Sequence, residues 1–328
     1  LYWRKGSARE SALEAIGVTV LACWLAACGG DQGDSPASSA GTTTTDQMSV
    51  TGQGAPPECT AGTAADRRYL LCVPQDVERP RLVLALHGRN GSGAELRTMT
   101  DLDGAGARRG LAVVYVDAAD GGWGDDSLRT AKRPRGDEDV TTLAAVVDDL
   151  REDGGFAAGP VGVVGFSNGA SMAMRLGAER PDLFGPVAAV AGQLPVDQRI
   201  RPTSRVRLLM MNGTADPIRD YERGFPAPAE RSVSARTPTL SVMGSVEAWL
   251  GIANGAVTEA PPVTPGTDDV TSVVRRTWND ADGVLLVLDT VVGGGHTWPS
   301  SRLRAPTTFG ATSTALDATA EVIGFLAE

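Results

Sequence analysis

Histidine is almost absent: His87 and His296 are the only two in 328 residues. A mechanism that needs an imidazole base therefore has two candidates and no more. Cysteine is also sparse, with four scattered residues, and no His- or Cys-rich cluster has the spacing of a zinc site. A carboxylate-only cation site stays open on composition. Aromatic residues make up 5% of the chain, and Lys and Arg (30) are outnumbered by Asp and Glu (40), for a net charge of −10. No basic stripe forms, which argues against nucleic acid as a partner. What is plentiful is small and apolar: 42% of residues are hydrophobic and 40 are glycine, enough for one large α/β domain or two smaller ones.

The first residues read as a targeting segment. Arg4, Lys5 and Arg9 form a basic start, and Ala15 to Ala27 is an apolar run of 13 residues, short for a bilayer span. It ends in Leu25-Ala26-Ala27-Cys28. This resembles a bacterial lipobox, in which the peptide is cut before the cysteine and the cysteine is then lipidated. Residues 1–27 are thus expected to be a lipoprotein signal, with Cys28 as the lipidation site. An ordinary signal peptide with an incidental cysteine is the alternative. Residues 28–58 are rich in Gly, Ser, Thr, Ala and Pro and read as a disordered tether between anchor and domain. Export would place Cys59 and Cys72 in an oxidising compartment, where they can form a disulfide; two free thiols are the other reading.

From residue 59 to 328, short apolar runs alternate with helical stretches. Arg68–Val73, Arg81–Leu86, Leu111–Val116, Val161–Gly165, Pro186–Ala191, Val206–Met211 and Val284–Val292 predict strands. Val140–Leu150, Ala170–Glu179, Val242–Ile252 and Ala315–Leu326 predict helices. That alternation predicts a mostly parallel central sheet with helices on both faces. Residues 118–138, with Trp123, and the Pro-rich stretch 217–270 interrupt it, and both follow strand ends where ligands bind in open α/β sheets. They are expected to wall a substrate pocket.

The chemistry lies in three segments in fixed order: Gly165-Phe166-Ser167-Asn168-Gly169, Asn212-Gly213-Thr214-Ala215-Asp216, and Gly294-Gly295-His296-Thr297-Trp298-Pro299. A bare Gly-x-Ser-x-Gly is weak evidence. Here an apolar strand precedes it and a small-residue helix follows, which is the context of a nucleophile elbow, and the order Ser…Asp…His is that of an α/β-hydrolase. Ser167 is the candidate nucleophile. A hydroxyl needs a base to take its proton, and His296 is the histidine placed to do so. Asp216 is expected to orient His296, with Asp220 as its nearby competitor and Asp289 as a weaker one. Backbone N–H groups of Asn168 and Arg89 are expected to form the oxyanion hole. His87 reads as a packing residue. Trp298, two residues after His296, and Trp123 are expected to border the substrate, with core positions as the plain alternative.

The segments Leu86-His87-Gly88, Gly165 to Met172, Asn212 to Pro217 and Gly294 to Pro299, with Trp249 before Asn254-Gly255, resemble the polyhydroxybutyrate depolymerase family of secreted esterases, which also holds feruloyl and acetylxylan esterases. The resemblance runs from about residue 67 to the end, and His-x-Trp-Pro is its most specific part. It implies an α/β-hydrolase fold and hydrolysis of esters by Ser167, His296 and Asp216, with no metal or organic cofactor. Many relatives carry a cysteine after the His-Gly pair, where this chain has Arg89, and cysteines near the positions of Ala256 and Asp280; the joint loss of the latter two implies a missing disulfide. The expected partners are an ester substrate and, through Cys28, a membrane; the expected state is an exported, lipid-anchored monomer. A non-catalytic, lipid-tethered binding protein and a serine peptidase on the same fold are the competing functions.

Overall fold

In a computed structural model, the structure describes residues 56–125, 138–152, 155–196, 200–224 and 238–328. The expected signal, Cys28 and nearly all of the tether lie outside these, as do parts of both loops expected to wall the pocket. The first strand begins at Glu58, the last residue of the expected tether.

A single sheet organises the described residues. Its centre is parallel: β3 (Arg81–Leu86) lies between β4 (Leu111–Val116) and β5 (Val161–Phe166), and β5 leads on to β6 (Phe184–Val190), β7 (Leu208–Gly213) and β11 (Gly283–Val292). Antiparallel strands extend both edges. β1 (Glu58–Ala64) and β2 (Arg67–Val73) lie beyond β4, while β8 (Thr258–Glu259), β9 (Val263–Thr267) and β10 (Ser272–Asp280) lie beyond β11.

Strand alternation separates two cores. Leu82, Leu84 and Leu86 of β3 face one layer, with α3 (Glu138–Glu152), α4 (Asn168–Glu179) and α5 (Val242–Leu250). Val83 and Ala85 face the other, with α1 (Gly93–Thr100), α2 (Leu102–Ala107) and α6 (Ala318–Ala327). This is the expected α/β-hydrolase architecture, a mostly parallel sheet covered on both faces.

Cys59 and Cys72 face each other across the β1–β2 register and are disulfide-bonded. The bridge closes a loop of sequence separation 13. The chain-entropy account gives such a loop about 3 kcal/mol of stabilisation. The bridge staples an edge hairpin that is otherwise only half-buried.

Candidate active site

The elbow is formed where β5 ends and α4 begins. Ser167 has φ 57° and ψ −116°, a conformation that a side chain bearing a Cβ adopts only under constraint. The constraint is visible in its neighbours. A Cβ at Gly165 would lie 2.1 Å from the Gly169 carbonyl oxygen, and one at Gly169 would lie 2.2 Å from that of Leu86. Only glycine fits at either place, so the turn closes tightly and lifts Ser167 off the sheet.

The acid and the base arrive on neighbouring strand ends. Asp216 follows β7 and His296 follows β11, and these strands pair in parallel. Ala215 N–H donates to Gly294 O (2.9 Å), and Gly293 N–H donates to Thr214 Oγ1 (2.9 Å). The two turns are therefore fastened to each other before any side chain is considered. A Cβ at Gly213 would lie 2.2 Å from Gly294 O, so the close approach again requires glycine.

These turns bring the three side chains into line. Ser167 Oγ lies 2.8 Å from His296 Nε2, and His296 Nδ1 lies 2.7 Å from Asp216 Oδ2. The other carboxylate oxygen, Oδ1, accepts the N–H groups of Ile218 and Arg219, each at 2.8 Å. Asp216 and His296 are buried, while Ser167 is partly exposed. With the proton on Nδ1, the imidazole donates to Asp216 and leaves Nε2 to accept from Ser167; the network assigns this tautomer. The competing acids are engaged elsewhere. Asp289 is fully buried within β11 and ion-paired with Arg275 (2.7 Å), and Asp220 faces Arg223.

The proposed oxyanion loop lies against the nucleophile. A Cβ at Gly88 would lie 3.4 Å from Ser167 Cβ and 3.2 Å from Phe166 Cδ1. Arg89 is the next residue and is half-buried. Asn168 is the first residue of α4, so its N–H belongs to the first helical turn, which has no acceptor within the helix. His87 fixes this loop from below: its Nε2 accepts Ala118 N–H (3.0 Å) and its Nδ1–H donates to Gly88 O (2.7 Å). Burial pushes the His87 imidazole below its ordinary value, which suits a ring that must stay neutral to accept that N–H.

Both tryptophans expected at the substrate are in the core, and that expectation is corrected. Trp298 is 1% exposed, packs in the layer that contains α6, and donates from Nε1 to Thr319 Oγ1 (3.1 Å). Truncating a fully buried tryptophan costs about 3–5 kcal/mol of stability, a packing effect. Trp123 is fully buried and acts as a bolt. Its N–H donates to Asn168 Oδ1 (2.6 Å), its carbonyl accepts from Asn168 Nδ2 (3.1 Å), and its Nε1 donates to His87 O (2.8 Å). Trp123 thus joins the loop after β3 to the elbow.

The aromatic surface at the site comes from residues the sequence did not single out. Phe166 and Phe309 are both partly exposed and flank His296, with ring centroids 5.4 and 5.8 Å from the imidazole. Phe309 O also accepts His296 N–H (2.6 Å). Phe166 stood in plain sight as the variable residue of the elbow. Phe309 follows the His-x-Trp-Pro segment by ten residues, and no sequence pattern ties it to the site. Among the described residues, the one group of three or more potential metal ligands is Cys59, Cys72 and Asp103, and its two cysteines form the disulfide.

The chain is similar to known proteins. The prolyl oligopeptidase family (Peptidase_S9) matches residues 102–245, a span that contains Ser167 and Asp216 and stops short of His296. "Putative esterase NocK" of Nocardia uniformis subsp. tsuyamanensis is 37% identical over 255 residues, covering 75% of this chain and 73% of that protein. The structure of acetyl xylan esterase from Aspergillus awamori superposes with a TM-score of 0.52 over 73% of this chain and 94% of that one, at 15% identity, which speaks to the fold alone. The sheet order, the elbow and the extent of the NocK match together establish that the chain belongs to the α/β-hydrolase esterase family.

Proposed function

We propose that the protein is an exported serine carboxylic-ester hydrolase of the polyhydroxybutyrate depolymerase-like type, acting on short-chain, hydroxyalkanoate or aromatic esters. The observation that carries this reading is the hydrogen-bonded relay from Asp216 through His296 to Ser167. Ser167 Oγ attacks the ester carbonyl as His296 Nε2 takes its proton, and Asp216 stabilises the imidazolium. The oxyanion is met by the N–H groups of Asn168 and Arg89. Collapse of the adduct expels the alcohol, which receives the proton from His296. Water then attacks the acyl-enzyme by the same route in reverse.

Substrate preference follows from what stands beside the proton transfer. Phe166 and Phe309 offer apolar faces next to His296, and contact with an aromatic or alkyl group is favourable there. Phe309→Ala is expected to lower kcat/KM for aryl and longer-chain esters by about 10-fold while sparing acetates, a difference of about 1.4 kcal/mol. Equal losses on all esters would assign Phe309 to the support of His296 instead. A panel of p-nitrophenyl butyrate, methyl ferulate, hydroxybutyrate oligomers and acetylated xylan tests the class. Soluble esters are expected to be cleaved much faster than a polyhydroxybutyrate film. A peptide anilide belongs in the panel because of the prolyl oligopeptidase match. Faster cleavage of the anilide than of every ester would favour the peptidase.

The location rests on Leu25-Ala26-Ala27-Cys28 and the polar stretch after it. A disulfide at Cys59–Cys72 is in keeping with an oxidising compartment. Wild-type protein should enter the detergent phase on partitioning and Cys28→Ala should not. Recovery of the wild type wholly in water would remove the anchor.

A further inference from the structure

Arg219 is a cation withdrawn from water that the relay does not use. It is 5% exposed, and burial pulls its guanidinium below the ordinary arginine value against the opposing charges of Asp125 and Asp216. A buried guanidinium is retained only where its donors are met and its charge is balanced. Among the described residues, it meets Ser171, Asp125 and its own turn. Its Nη1 donates to Ser171 Oγ (3.0 Å), and its Nη2 is ion-paired with the fully buried Asp125 (3.6 Å). Its own backbone N–H donates to Asp216 Oδ1 (2.8 Å).

Each partner belongs to a different part of the site. Ser171 stands four residues after Ser167, in the first turn of α4, where its N–H donates to Ser167 O (3.2 Å). Its Oγ also donates to Gln193 O (2.8 Å), and Gln193 Nε2 donates to Asp220 O (2.9 Å). Asp125 lies two residues beyond Trp123, the bolt between oxyanion loop and elbow. The turn from Asp216 to Asp220 is thus anchored at its far end through Gln193 and at its middle through Arg219.

We propose that Arg219 is a positioning residue of the triad, with Asp125 as its counter-ion. Its side chain ties the turn that carries Asp216 to the elbow helix that Ser167 precedes. The separation that His296 has to bridge is then set by one buried side chain and not by the two strand ends alone. Displacement of a reacting group by about 1 Å costs on the order of 10²-fold in rate, so a tie of this kind is read in turnover. The proposal rests on the serine esterase reading given above.

The test compares the full-length wild type with Arg219→Met, Arg219→Lys, Asp125→Asn and Ser171→Ala. It measures kcat and KM on p-nitrophenyl butyrate, thermal midpoint and the rate of labelling by a fluorophosphonate. Arg219→Met is expected to lower kcat by about 10²-fold with KM changed less than about 2-fold. Labelling should slow in proportion, because it needs the same aligned base. Arg219→Lys should restore part of the rate, since a single ammonium can reach Ser171 or Asp125 but cannot span both as the guanidinium fork does. A folded Arg219→Met with wild-type kcat, or a loss confined to KM, would overturn the proposal and leave a structural ion pair. If Arg219→Met does not fold, the decision passes to Ser171→Ala and Asp125→Asn, which keep the guanidinium and remove one tie each. A lowered kcat at constant KM in either supports the proposal, and wild-type kcat in both overturns it. Failure of the wild type to hydrolyse any ester or to take the label would instead remove the esterase reading itself, before any variant is compared.

Discussion

Ser167→Ala and His296→Ala are each expected to abolish ester hydrolysis, a loss of about 10³-fold or more, without unfolding the protein. The reasoning is geometric. Ser167 Oγ and His296 Nε2 are 2.8 Å apart, so attack and proton removal are one event, and deleting either atom deletes both. The double variant should therefore be no worse than the single ones. Ser167→Ala leaves the core undisturbed, because Ser167 is partly exposed and alanine keeps the Cβ that the elbow already accommodates at φ 57°; His296→Ala empties a buried ring position beside Asp216 and should melt lower while staying folded. Steady-state rates on p-nitrophenyl butyrate with thermal melts check this. Wild-type turnover by a folded Ser167→Ala would end the account of the mechanism.

Asp216→Asn is expected to cost about 10³- to 10⁴-fold in kcat at neutral pH. The N–H groups of Ile218 and Arg219 require an oxygen at the position of Oδ1, so an asparagine would keep its carbonyl there. Its amide nitrogen would then face His296 Nδ1, which is 2.7 Å from Oδ2 in the native protein. Two donors cannot face each other, so the ring would place its proton on Nε2, toward Ser167. The nucleophile would then face an N–H instead of a base. Asp220→Asn, on the exposed pair with Arg223, should leave turnover near wild type, and the contrast between the two variants separates the acid from its neighbour.

The triad was readable because its signals are local. Each of its residues sits in a short glycine-bearing segment at a strand end, and strand ends are visible as apolar runs. The same logic gave the parallel core of the sheet. Helices α1 and α2 were missed because Gly93, Gly104 and Gly106 interrupt any helical period there. Strands β8 and β9 were missed because edge strands bury little, and β10, though paired on both sides, because it is mostly half-buried and carries charged residues, so their pattern resembles a loop. Trp298 misled for a related reason. Nearness to His296 in sequence says nothing about which side of the turn a ring takes, and this one turned inward to Thr319. Arg219 was equally hidden, since a lone arginine after a turn gives no hint of burial until Asp125 and Ser171, distant in sequence, are brought to it.

The most direct test of the central claim is labelling of the wild-type protein with a fluorophosphonate, followed by mass spectrometry of the modified peptide. An activated serine is required, and ester turnover need not be assumed. A single adduct on Ser167, lost in His296→Ala, is the predicted result. No adduct, or an adduct on a different residue, would contradict the assignment of Ser167 as the nucleophile.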